Sequence, residues 1–264
     1  MTQDLIDTAH DLADAARRAT LAHFRSRHLA SDNKADRGFD PVTEGDRAAE
    51  AAMRDILARR RPADGIFGEE FGATPGTTGL TWVLDPIDGT RGFLSGTPTW
   101  GVLIAVCEGT RPVFGIIDQP YIGERFEGGF GRAAFTGPHG AGPLAVRDGG
   151  GLDRAILFST FPEIGTPEEA ALFHRVAGRV RLTRYGTDCY AYALLALGQI
   201  DLVIEAGLQR YDVAAPIAVI EAAGGVVTDW QGGRADLGGR ILAAATPALH
   251  AEALAILSAI GAPA

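Results

Sequence analysis

Two acids, Asp85 and Asp88, close the apolar run Trp82-Val83-Leu84 in the stretch WVLDPIDGTRGFLSG. A carboxylate at the end of a buried strand is costly unless it is paired, hydrogen-bonded or bound to a cation. Two acids three residues apart also repel each other, and no lysine lies beside them. A divalent cation resolves the conflict. Hard ions such as Mg²⁺ take carboxylate and carbonyl oxygens and keep waters for chemistry. Pro86 stiffens the backbone between the acids and offers no N–H. Asp85 and Asp88 can then converge while the Ile87 carbonyl turns inward. Gly89 and Thr90 follow, with amides suited to a phosphate oxygen if a turn or helix begins there.

Three further acids stand at the edges of regular elements: Asp46, Glu69 and Asp212. Each has a plain reading as well. Thr43-Glu44-Gly45-Asp46 has the form of a capping box, in which Asp46 only caps its helix. Asp212 opens a helix and could be a simple N-cap. Glu69 and Glu70 could be a solvated loop pair. Asp85 and Asp88 are harder to explain in that way.

The elements that must position these acids follow from the pattern of apolar residues. Leu5, Ala9, Leu12 and Ala16 recur at helical spacing and predict an amphipathic helix over 3–28. The polar SDNKADRGFD reads as a loop or hairpin and is the candidate for a segment that closes over a substrate. A second helix is expected near Thr43, with Ala49, Met53, Ile56 and Leu57 inward, stopping before Pro62. GIFGEE and TWVLD read as short buried strands. TWGVLIAVCEG and RPVFGIIDQP are rich in β-formers with a hairpin at EGT, and two more strands lie around Arg125–Phe126 and Ala133–Phe135.

After the glycine cluster at 148–151 the rhythm changes. AILFST reads as a strand and TPEEAALFHRVAGR as a helix with Thr166 as N-cap and Pro167 at its first position. Strand RLTRYG, helix TDCYAYALLALGQ and strand DLVIEAG follow. Next comes a helix ended by Gly224-Gly225, then strands GVVTDWQG and RILAAA and a last helix. The expected architecture is layers of helix and sheet in one compact domain, 1–264, of α+β to α/β class. A first lobe covers about 1–150 and a second about 151–264.

The chain has 264 residues, 46% of them apolar, enough to build a sizeable core. Its net charge of −9 is a poor match for sequence-independent nucleic-acid binding, where Lys and Arg supply most of the affinity. Cys107 and Cys189 form no CxxC motif and imply no disulfide framework. The charged N-terminus lacks the apolar stretch of a signal peptide, and no run approaches the ~18 apolar residues of a membrane span. A cytoplasmic protein is expected. None of the six histidines falls in these motifs, which weighs against a Ser-His-Asp hydrolase or a zinc site. GFGRAA at 129–134 fits a loose dinucleotide pattern, but FTGPHGAG rather than a helix follows it.

These motifs resemble a known family. GEE (68–70), DPIDGT (85–90) and YDVAAPIAVIEAAGGVVTD (211–229) are similar to the signatures of the inositol monophosphatase-like, Mg²⁺-dependent phosphatases. DPVTEGD (40–46) matches that family's D-x-V-T-x-x-D. The elements occur in family order from about Lys34 to Asp229. Inositol monophosphatases usually continue DPIDGT with TNF, and adenosine-bisphosphate phosphatases with KEF. Here the motif continues RGFLSGTPTWG. With DCYAYALLALGQIDLVIEAGLQRYDVAA and GGVVTDWQG, this is similar to the histidinol-phosphate phosphatases of the superfamily.

The resemblance implies a layered αβαβα sandwich and a phosphomonoesterase that cleaves L-histidinol phosphate, a step of histidine biosynthesis. The alternatives are an inositol-1-monophosphatase, a broader sugar-phosphate phosphatase, or a non-catalytic metal- or phosphate-binding protein. Against the last stands the intact set of acids. The resemblance implies two or three Mg²⁺ ions, with Mn²⁺ an alternative. Glu69, Asp85 and the Ile87 carbonyl would hold one. Asp85, Asp88 and Asp212 would hold a second, and a third would share Glu69 through water. Thr90 would orient the attacking water and Asp46 would hold Thr90. The Gly89 and Thr90 amides would bind phosphate. Asp188 and Glu205 sit where the family contacts the alcohol part of its substrate, and acids suit the ammonium and imidazole of histidinol. Arg184 could reach the phosphate, from its own or a neighbouring subunit, since a homodimer is implied; its plain reading is a surface charge. For Asp188 the plain reading is an N-cap of the helix over 188–198. Arg91 would pair with a carboxylate near the mouth, and Trp100 reads as core. The implied partner is a small phosphorylated metabolite, with neither nucleic acid nor membrane.

Overall fold

The computed structural model describes residues 2–27, 31–33 and 41–259. Its helices are α1 (Thr2–His23), α2 (Glu44–Arg60), α3 (Thr90–Ser95), α4 (Pro167–Ala177), α5 (Tyr190–Ala196), α6 (Arg210–Ala222) and α7 (Pro247–Leu257). The strands of the first half are β1 (Ser31–Asn33), β2 (Pro41–Thr43), β3 (Gly65–Gly68), β4 (Gly72–Thr74), β5 (Leu80–Asp88), β6 (Gly101–Glu108), β7 (Arg111–Gln119), β8 (Glu124–Gly129), β9 (Arg132–Gly137) and β10 (Gly140–Pro143). Those of the second half are β11 (Ile156–Ser159), β12 (Leu182–Tyr185), β13 (Leu202–Leu208), β14 (Val226–Thr228) and β15 (Gly239–Ala244).

Two large sheets result. The first has eight strands in the order β10-β9-β8-β7-β6-β5-β3-β4, antiparallel throughout except for the β3–β5 pair. The second has five, in the order β12-β11-β13-β15-β14. Its β11 runs parallel to both β12 and β13, while β15 is antiparallel to its neighbours.

Alternation along the strands sorts the apolar residues into layers. Trp82, Leu84, Val102, Ile104 and Val106 face one way and pack under α1 and α2 with Leu12, Met53 and Leu57. Val83, Leu103, Ala105 and Cys107 face the other way and meet α5 and α6. Val203, Ile241 and Ala243 of the second sheet close that middle core. Leu202, Ile204, Leu242 and Ala244 point outward beneath α4 and α7. The layers therefore run helix, sheet, helix, sheet, helix. This is the αβαβα order expected above.

α6 lies between the two sheets and is apolar almost all round, with every residue from Val213 to Ile220 buried. It sits directly on the first sheet at two glycines. A Cβ on Gly115 would lie 2.5 Å from the Ala215 carbonyl oxygen, and one on Gly128 would lie 2.5 Å from Val219 Cα. That contact sets the position of the helix, and hence of Asp212 near its N-terminus.

Several boundaries differ from the sequence reading. α1 ends at His23, because Arg25 turns left-handed at φ 58° and cannot continue the helix. The Arg25 guanidinium instead holds the Gly96 carbonyl at 2.8 and 3.1 Å. α5 begins only at Tyr190, since Asp188 is also left-handed, at φ 45°. β4 and β10 are three and four residues long, too short for a periodic signal. GFGRAA forms the tight β8–β9 hairpin, with Phe130 and Gly131 at its tip, so the dinucleotide match was accidental. Of SDNKADRGFD, 31–33 pair with β2, while 34–40, and with them Asp40 of the D-x-V-T-x-x-D match, lie outside the described residues.

Because backbone faces backbone at Gly128, Gly128→Val should lower stability by about 3 kcal/mol, read as the midpoint of urea unfolding. An unchanged midpoint would show that α6 does not depend on this close approach.

Candidate active site

The acids converge because four elements end at one place. β5 delivers Asp85 fully buried. Its pairing with β6 then slips between Asp85 and Asp88, where Pro86 has no N–H to give the ladder. The Asp85 carboxylate accepts the Ile87 N–H at 3.1 Å. Gly89 follows at φ 88°. A Cβ there would lie 2.8 Å from Asp188 Cγ, so both the turn and the neighbour require glycine. Thr90 then opens α3. Glu69 arrives from the end of β3, its N–H bonded to the Leu84 carbonyl at 3.2 Å. Asp212 comes from the first turn of α6.

Carboxylate oxygens of Asp85, Asp88 and Asp212 all lie within 4.8 Å of one another. Glu69, Ile87, Gly89 and Thr90 line the same cavity of about 180 Å³. Burial raises the Asp85 carboxyl well above its usual range, and the charges of Glu69, Asp88 and Asp212 push it further. Burial likewise raises Asp88, reinforced by Asp212 and Asp188. A cluster that resists its own ionisation is a fitting host for hard divalent cations, which take oxygen ligands and neutralise them. Among the described residues, Asp85, Asp88, Asp212, Glu69 and the Ile87 carbonyl fit that role.

A second cavity, about 360 Å³, adjoins the first and shares Asp88, Arg91, Phe161, Asp188 and Asp212 with it. Its far wall carries Glu205 from β13, held by the Thr160 N–H at 2.6 Å and the Thr160 hydroxyl at 2.9 Å. Burial lifts the Glu205 carboxyl to about 7 despite these bonds. Asp188 is raised mainly by burial, against the pull of the Thr99 hydroxyl and the Arg91 charge. Arg91 lines both cavities, and its guanidinium lies 4.9 Å from the centre of the Phe161 ring.

Other expected residues behave differently. Asp46 is a capping residue: it accepts the Thr43 N–H at 2.8 Å and the Thr43 hydroxyl at 2.5 Å. The Thr90 hydroxyl donates to the Ile87 carbonyl at 3.1 Å, so the Asp46–Thr90 contact implied by the resemblance is not made here. Asp46 Oδ1 has no partner among the described residues. Burial, opposed by the Thr43 bonds, raises its carboxyl to about 7. Asp212 is not an N-cap; Gln209 is, and Asp212 accepts the Gln209 N–H at 2.6 Å from three residues on. Asp188 makes no cap either, because its left-handed backbone precedes the helix. Arg184 stands exposed on the edge strand β12 and does not line either cavity of this chain. Trp100 is core, packed with Phe24, Ile87 and Phe93.

Three site residues were missed. Glu50 is buried and accepts the Glu70 N–H at 2.7 Å and the Phe71 N–H at 3.2 Å, shaping the loop that presents Glu69. An acid on the inward stripe of Ala49, Met53 and Leu57 was its signal. Phe161 and Tyr192 line the second cavity, and nothing in their local sequence marks them.

The sequence matches the inositol monophosphatase family over residues 1–262. The chain belongs to that family. It is therefore a metal-dependent phosphomonoesterase with a small phosphorylated molecule as substrate, and its family is one that uses Mg²⁺. It is 37% identical over 263 residues to a histidinol-phosphatase of Mycobacterium tuberculosis, covering 98% of this chain and 100% of that one. It is 42% identical over 225 residues to the chloroplastic bifunctional phosphatase IMPL2 of Arabidopsis thaliana, covering 84% of this chain but only 63% of that protein. Among solved structures, an inositol monophosphatase from Zymomonas mobilis superposes with a TM-score of 0.85 at 42% identity, over 97% of this chain and 98% of that one. No helix among the described residues is long and apolar enough to cross a membrane.

Two expectations follow from the charge balance. In EDTA at pH 8, Asp85→Asn should melt higher than the wild type, because it removes one repelling buried charge. Added Mg²⁺ should raise the wild-type melting temperature and do little for the variant. A Mg²⁺ response of equal size in both would remove Asp85 from the ligand set. Glu205 ionises near 4.5 when unfolded and near 7 when folded. The unfolded chain thus loses its proton first, and stability falls as pH rises through that window, by about 3 kcal/mol in total. Glu205→Gln should flatten this fall in metal-free urea titrations between pH 4.5 and pH 8; an unaltered slope would refute the assignment.

Proposed function

We propose that this chain is a Mg²⁺-dependent histidinol-phosphatase that hydrolyses L-histidinol phosphate to L-histidinol and phosphate. The observation that carries the reading is the pair of acids, Asp188 and Glu205, in a cavity continuous with the phosphate end. Carboxylates there suit a cationic alcohol part, such as one with an ammonium and an imidazole, better than a neutral polyol. The 37% likeness to a histidinol-phosphatase along the whole of both chains supports it. The likeness to the Zymomonas mobilis enzyme favours a second reading, inositol-1-phosphate hydrolysis by the same residues.

In the proposed reaction, Glu69, Asp85, Asp88, Asp212 and the Ile87 carbonyl hold Mg²⁺. When bound, the ions supply charge neutralisation at the phosphoryl oxygens and activation of water. The Gly89 and Thr90 amides, exposed by the left-handed turn, hold the phosphate. The Thr90 hydroxyl orients the attacking water; for Asp46 to hold that hydroxyl, it must turn from the Ile87 carbonyl to which it donates in this structure. Water adds to phosphorus as the ester P–O bond breaks, and the alcohol leaves with a proton. Asp188 holds the ammonium end. The same reading takes the protein to be a cytoplasmic homodimer, with Arg184 exposed toward a second copy.

With Mg²⁺ present, kcat/KM should be highest for histidinol phosphate in a panel with inositol 1-phosphate and adenosine 3′,5′-bisphosphate. A higher value for inositol 1-phosphate would replace this reading by the second.

A further inference from the structure

Of the acids proposed to hold Mg²⁺, Glu69 has the weakest support from its own element. It stands in the turn Glu69-Glu70-Phe71 between β3 and β4. β4 is three residues long and forms an edge of the eight-stranded sheet. Segments with so little pairing open at small cost. The charge of Glu69 also acts on Asp85, and like-charge repulsion pushes the turn away from the cluster.

An ion pair on α2 opposes this. Glu50 is fully buried. Its Oε2 accepts the Glu70 N–H at 2.7 Å, and its Oε1 accepts the Phe71 N–H at 3.2 Å. Oε1 also accepts the Arg54 Nε–H at 2.7 Å. Arg54, one helical turn on, donates to the Thr74 hydroxyl at 3.1 Å and to the Gly72 carbonyl, and its guanidinium lies 5.9 Å from the centre of the Phe71 ring. The pair thus grips the backbone of Glu70, Phe71 and Gly72 at once. β3 is shaped to admit it. A Cβ on Gly68 would lie 2.0 Å from Glu50 Oε1. Gly68 is not left-handed, so the space taken by that carboxylate is what requires glycine.

Burying a carboxylate is costly, and an ordinary surface turn has no need of one. Glu50 lines neither of the two cavities, so it is not placed to touch a cation or a substrate. What it fixes is the position of Glu69, one residue before the first amide it holds. A ligand group ordered in advance binds without the cost of ordering it. We propose that Glu50, together with Arg54, is a positioning residue that holds Glu69 toward the acid cluster and thereby sets the affinity for Mg²⁺. The proposal rests on the reading of Glu69 as a metal ligand.

Glu50→Gln keeps the shape of the side chain but turns one acceptor oxygen into an N–H donor that faces a backbone N–H. Titrated with Mg²⁺ alone in a calorimeter, the variant should bind about ten-fold more weakly than the wild type, the size of one hydrogen bond. Glu69→Gln should weaken Mg²⁺ binding at least as much. In that background Glu50→Gln should add little, because it acts through Glu69. Wild-type affinity in Glu50→Gln would overturn the proposal. So would full additivity of the two substitutions, which would make Glu50 a support of the fold at large. If Glu69→Gln alone leaves Mg²⁺ binding unchanged, the ligand reading falls and the proposal with it. Should Glu50→Gln not fold, Arg54→Lys carries the test, since it keeps the charge and loses the fork that reaches Gly72 and Thr74. Weaker Mg²⁺ binding is expected there too, and wild-type affinity would overturn the proposal. None of these measurements depends on which ester is cut.

Discussion

Repulsion among buried carboxylates is the constraint on which the site depends. Asp85, Asp88 and Asp212 bring oxygens within 4.8 Å of one another at the end of a buried strand. Several other buried acids are answered with arginine: Asp118 with Arg17 and Arg125, Asp64 with Arg61, Asp201 with Arg147, Glu169 with Arg240. Asp85 and Asp88 have no such partner among the described residues. Backbone amides fix them instead, from Ile87 and Cys189. An N–H positions a carboxylate without cancelling its charge. The geometry is thus held while the demand for a cation stays intact.

That demand explains much of the scaffold around it. Acids that repel must be brought together by forces acting elsewhere. The β5–β6 ladder, the three apolar layers and the seating of α6 on Gly115 and Gly128 provide them. Asp212 belongs to the second half of the chain, yet its helix lies on the first sheet. The site therefore depends on the middle core, where apolar burial from both sheets outweighs the local electrostatic strain. Arg25 contributes from a third direction, tying the end of α1 to the C-terminal turn of α3.

Most of this was legible from residue types at fixed spacing. Alternating apolar residues marked β5, β6 and β7, and Thr166-Pro167 marked the start of α4. DPIDGT marked Asp85 and Asp88, two of the three acids whose oxygens meet in the cluster. What stayed hidden depended on contacts across the fold. The left-handed backbone at Arg25 and Asp188 is fixed by neighbours such as Gly96 and Gly89, so the sequence reading ran both helices too long. Asp46 and Asp212 were each read as either cap or functional group, whereas both make capping contacts and Asp212 also joins the acid cluster. Phe161 and Tyr192 looked like ordinary apolar residues, since only the packing of α5 against β13 brings Tyr192 to the Glu205 wall.

The two cavities differ in what they do with charge, and this bears on the order of binding. At one end, a phosphate dianion would meet Asp85, Asp88 and Asp212 with no cation between them, a like-charge contact that opposes entry. A cation bound there would remove that repulsion, and Arg91 at the mouth carries a charge of the sign that draws an anion. At the other end, burial lifts the Glu205 carboxyl to about 7, so it gives up its proton far less readily than an exposed glutamate. An alcohol part that carries a positive charge would draw this acid toward its ionised form, whereas a neutral one would leave it as it is.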